Sequence, residues 1–181
     1  MLGKILKFIL LTLLAYLLQV TAADYIAIKD VAPNIALALV SIVTVALGRK
    51  YTFVMAMTIG YCTEIMVPSL DYINLLLYPV AAMLAALAFS DKSERKIEEE
   101  RTQGKQGKQI NAHIRTPLAA LVSILIFEGI HLLYIYLTGV ELDRGHWSRA
   151  FIDVGYTTLL SAVLQFPTRW WLGTYKLKKA R

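Results

Sequence analysis

The side chains whose types and spacing could do chemistry in this sequence are few: Glu64, Asn74, Glu128 and His131, each set in an apolar run. Glu128 and His131 stand three residues apart, so on a helix they share a face. Facing pairs of that motif build di-iron sites, but here it occurs once, and Glu64 is the only other carboxylate deep in an apolar run. Three readings follow: a metal site, a proton relay or contact to a substrate carboxylate, and a structural pair hydrogen-bonding Glu64, Asn74 or a hydroxyl of another helix. The sequence has no nucleophile elbow, phosphate loop, HExxH or CxxC, and no serine or threonine has a base beside it. Gly104 and Gly107 with Lys105 and Lys108 lack the strand and spacing of a phosphate loop and read as a linker. The expectation is a protein that is not an enzyme and needs no cofactor or metal.

The elements that carry these residues are membrane spans. With 57% hydrophobic and 18% charged residues in a chain of 181, there is too little polar surface to coat a soluble globule. The organising stretch runs from Tyr51 to Leu70, twenty residues that make roughly 30 Å of helix, about one hydrocarbon thickness. Glu64 inside it must face protein, water or headgroups, and Pro68 favours a stop. The expected fold is all-α: a single transmembrane domain over 1–181 with six spans, at about residues 5–23, 31–48, 51–69, 72–90, 116–140 and 150–171. Cleavage of the first span as a signal peptide is the competing reading of Val20 and Ala22. Pro33 falls in the first turn of the second span, and Gly48, Arg49 and Lys50 mark a tight turn after it. Ala81, Ala82, Ala85 and Ala86 place small residues on one face of the fourth span, where another helix can approach closely. Asp153 and Gln165 lie near opposite ends of the sixth, within reach of water and headgroups. The single cysteine, Cys62, allows no internal disulfide.

Charge sets the orientation. The segment 91–115 holds seven basic and five acidic residues and reads as a charged cytoplasmic linker. With both termini cytoplasmic, only Lys29, Arg144 and Arg149 of the nineteen Lys and Arg lie outside. That asymmetry accounts for the net charge of +6 through topology and attraction to anionic lipid, and removes the reason to expect nucleic acid. Trp147 outside, and Trp170 with Trp171 inside, suit interfacial anchors.

The order of features resembles the MreD family of rod-shape-determining membrane proteins. The first span closes on Leu18 and Gln19, the second opens on Pro33, Asn34, Ile35, Ala36 and Leu37, the third carries Gly60 followed by Glu64, and the last ends on Phe166, Pro167, Thr168, Arg169 and Trp170. Ala56 stands where the family has an earlier glycine, Glu64 where it has aspartate, and the glycine usual a few residues later is replaced by Asp71 and Tyr72. The resemblance implies a multi-pass protein of the bacterial inner membrane with a bundle like the substrate-binding subunits of energy-coupling-factor transporters. It also implies a non-enzymatic part in cell elongation and peptidoglycan synthesis, beside an MreC-like protein, RodA and a penicillin-binding transpeptidase, with the alanine face gripping the MreC-like helix. The alternative is such a vitamin-transporter subunit itself, with Glu64, Asn74, Glu128 and His131 lining the ligand pocket.

Overall fold

The computed structural model describes residues 2–66, 72–90 and 110–174, and within them the chain forms six α-helices and a short 3-10 turn, Asp24–Ile26. The helices are α1 (Leu2–Thr21), α2 (Ile35–Leu47), α3 (Arg49–Met66), α4 (Ile73–Phe89), α5 (Ala112–Leu137) and α6 (Arg144–Trp171). The expected stop at Pro68 and most of the 91–115 linker lie outside the described residues; the end of that linker, residues 112–115, already belongs to α5.

Helix boundaries follow local chemistry. Asn34 caps α2, its side-chain oxygen accepting the Leu37 N–H at 2.9 Å, and Gly48, at φ +86°, ends it. Pro33 therefore precedes the cap and does not sit in the first turn as the sequence suggests. At α6 the Asp143 carboxylate accepts the His146 N–H at 2.9 Å, while the His146 ring accepts from the Asp143 N–H. This is a capping box with histidine in the place of glutamate. The bond from the His146 backbone, then the His146 ring beside it, hold the Asp143 carboxyl below the usual carboxylate range. A depressed acid stabilises the fold above its unfolded value and loses that contribution as pH falls through its folded one. We expect the thermal midpoints of wild type and Asp143→Asn to differ at neutral pH and converge well below about pH 4.

Between α1 and α2 the chain reverses through a two-residue turn, with Ile28 and Val31 exchanging backbone bonds of 3.0 and 3.1 Å. The turn residues Lys29 and Asp30 both take positive φ, 52° and 61°, where asparagine and glycine are favoured. Replacing the pair with Asn-Gly should raise stability by about 0.5–1.5 kcal/mol, read as a higher melting midpoint in detergent.

α2 is the centre. It is apolar on every side, and each residue from 35 to 45 is buried. All five other helices pack on it, whereas α1 touches chiefly α2 and α3. Hydrogen bonds fix the alternation of direction. Arg49, starting α3, donates to the Ala86 and Leu87 carbonyls at the end of α4; Lys7 near the start of α1 donates to the Trp171 carbonyl ending α6; the Tyr156 hydroxyl in α6 donates to the Ile26 carbonyl beyond α1. One end of the bundle thus collects Lys4, Lys7, Arg49, Lys50, Arg115 and Arg169.

Polarity is inverted relative to a water-soluble core. Ser41, Thr52, Thr116, Thr157 and Ser161 are fully buried, while Leu6, Leu76, Leu133, Phe151, Leu159 and Val163 are more than half exposed. By length and composition α1 and α5 are long and apolar enough to cross a membrane; α2 and α4 are apolar but shorter. The alanine face is used within the chain: Ala81, Ala82, Ala85 and Ala86 are fully buried, and α4 packs on α2, α3 and α5. The expectation that this face grips a partner's helix is corrected accordingly.

Candidate functional site

The polar residues converge on two buried helix starts. At α2 the first turn has no intrahelical partners for its N–H groups, and apolar neighbours exclude water. The Asn34 N–H donates to Thr157 Oγ1 at 2.9 Å and to Asp153 Oδ1 at 3.3 Å. The Ala36 N–H donates to Gln19 Oε1 at 3.1 Å, and the Leu37 N–H to Asn34 Oδ1. Asn34 Nδ2 reaches the Tyr78 hydroxyl at 3.4 Å. Three other helices therefore supply side chains to the beginning of α2: Gln19 from α1, Tyr78 from α4, Asp153 and Thr157 from α6. Thr157 donates onward to Asp153 Oδ1 at 2.7 Å, and the carboxylate at the positive end of α2 is in favourable register with the helix dipole.

At α4, Glu64 from α3 does the same work. Its Oε2 accepts the Asn74 N–H at 3.1 Å, and the carboxylate is buried. Gly60, one turn earlier, is held against the same backbone: a Cβ there would stand 2.6 Å from the Asn74 carbonyl oxygen. The sequence pattern of Gly60 followed by Glu64 is thus one contact, with glycine permitting the close approach and glutamate filling the cap.

Glu128 stands near Asp153 of α6, and the two carboxyls interact. Glu64 and Asn74, the partners weighed for Glu128 from sequence, bond to each other. His131 is exposed, edge-on to the Phe127 ring at 6.5 Å, so the two residues of the E-x-x-H motif part company. Among the described residues no three His, Cys, Asp or Glu side chains are close enough to share a metal ion.

Asp153 and Gln165 correct the sequence reading most. Expected near water at the ends of α6, both are buried; Gln165 Nε2 donates to the His113 carbonyl of α5 at 3.4 Å. The signal was present: Asp153, Thr157, Ser161 and Gln165 recur every four residues, one polar ridge of α6 turned into the bundle. Pro167 and Arg169 lie at the far end of α6, Pro167 on its outer surface and Arg169 half-buried. No family model, curated protein or solved structure matches this chain.

The arrangement does mechanical work. Its carboxylates, amides and hydroxyls hold helix starts buried among apolar side chains, where an unmet N–H costs several kcal/mol.

Proposed function

We propose that this chain is a non-enzymatic, multi-pass subunit of the bacterial inner membrane, of the MreD kind, with six spans and a cytoplasmic 91–115 segment, acting in cell elongation by holding an MreC-like single-span partner. What carries the reading is the inverted polarity: apolar side chains exposed on the helices, hydroxyls inside, cations at one end. Asn34, Glu64 and Asp153 are engaged in helix caps, which favours a scaffold over a vitamin-binding subunit whose polar groups stay available to a ligand. With the alanine face occupied, we assign the partner's helix to the seam between α1 and α3, a hollow of 320 Å³ lined by Tyr16, Thr58 and Cys62 among others. Small and hydroxylated side chains let two helices approach and hydrogen-bond in lipid.

The test is a crosslinking and mass-spectrometry inventory in native membranes. The reading expects an MreC-like protein whose yield falls about tenfold in Thr58→Trp, a loss of about 1.4 kcal/mol. Recovery of no such partner, or of a chain loaded with a vitamin, contradicts it.

A further inference from the structure

A second hollow, of 590 Å³, runs between α1 and α6 and is walled by Leu10, Leu14, Leu17, Pro167 and Trp170, with Leu39 of α2 as its floor. Apart from Thr168 its lining is apolar, and α1 and α6 do not close on each other along it. Along α1 its wall runs from Leu10 to Leu18, about 12 Å at 1.5 Å per residue, over a third of a 30 Å hydrocarbon core. An apolar groove of that length takes one fatty chain lying along the helices.

Cations stand at one mouth only. Lys4 and Lys7 are exposed one turn apart on α1, and Lys7 Nζ sits 5.6 Å over the Trp171 ring while donating to the Trp171 carbonyl at 3.0 Å. This pins the ammonium at the rim of the hollow, at the end of the bundle that gathers the positive charge.

From this juxtaposition we infer a lipid site: one acyl chain of an anionic phospholipid lies in the α1–α6 hollow, its phosphate on Lys4 and Lys7. The inference rests on the membrane-spanning reading and is independent of which protein partner is held.

Trp170 and Trp171 line the hollow and report on it. In Trp147→Phe protein, reconstituted in phosphatidylcholine vesicles, fluorescence is followed as acyl-brominated phosphatidylglycerol or acyl-brominated phosphatidylcholine is added. The anionic probe should quench at a lower mole fraction than the neutral one. Lys4→Gln and Lys7→Gln should each shift its midpoint about fivefold upward, with Lys7→Arg near wild type. Leu14→Phe, which fills the exposed wall of the hollow, should reduce quenching with both lysines intact. Equal quenching by the two lipids, indifference to both lysine changes, or a disulfide between copies of Leu14→Cys protein in the Cys62→Ser background, showing a second chain over the hollow, would overturn the site. Failure of either brominated lipid to quench at all would instead remove the membrane-spanning reading beneath it.

Discussion

Gly60→Ala is expected to lower stability by about 1–3 kcal/mol, the cost of forcing an extra methyl into a packed contact. The methyl would meet the Asn74 carbonyl oxygen at 2.6 Å, and that atom is main chain in the first turn of α4, so no side chain can swing away. Relief requires α3 and α4 to separate, which lengthens the 3.1 Å bond from the Asn74 N–H to Glu64 and opens a buried cap. The melting midpoint in detergent should fall by about 2–12 °C. Gly129→Ala and Gly155→Ala are the controls: both glycines lie inside helices with nothing within 4 Å of an added Cβ. There alanine should be neutral or stabilise by about 0.5–1 kcal/mol through backbone entropy and helix propensity. A Gly60→Ala protein as stable as these controls would show that the α3–α4 contact is looser than described.

Asn34→Ala is expected to cost about 2–3 kcal/mol, at or above the upper end of cap losses. On a soluble surface water would replace the lost acceptor; here Asn34 is buried and the Leu37 N–H it serves lies in the most enclosed helix of the bundle. Asn34→Ser, which retains a short acceptor oxygen, should recover part of the loss. Tyr78→Phe should cost less, since its 3.4 Å contact with Asn34 is the longest of the group. Thermal unfolding of the three variants gives the ranking. Equal stability of Asn34→Ala and wild type would mean that the start of α2 is reached by water.

Much of the architecture was legible because long apolar helices have simple requirements. Apolar runs broken by Asp24 to Asp30 and by Gly48 match the breaks between α1, α2 and α3, whereas the polar stretch Glu141 to Arg149 is only partly a break, since α6 already begins at Arg144 behind the Asp143 cap. Helix ends were less legible. The apolar run around Pro33 suggested a helix from residue 31, but the N–H groups there could be satisfied only from other helices, so α2 begins at Ile35 where Gln19, Asp153 and Thr157 converge. Of the residues singled out for chemistry, Glu64 and Asn74 meet, while Glu128 and His131 go separate ways. Glu128 and His131 share a motif in sequence, yet three residues on a helix subtend about 60° off alignment, enough to send one toward Asp153 and the other to the surface. Asp153 reads as wet in the sequence because it is a lone acid near a helix end; only the four-residue recurrence through Gln165 shows which way that face turns.

The central claim is that this chain crosses the membrane six times with its charged segment inside. In the Cys62→Ser background, single cysteines at Lys105, Asp30 and Asp143 are treated on intact cells with a membrane-impermeant maleimide, before and after permeabilisation. The account predicts that positions 30 and 143 react from outside at once and that position 105 reacts only after the membrane is opened. Labelling of position 105 in intact cells, or of all three alike, would contradict it.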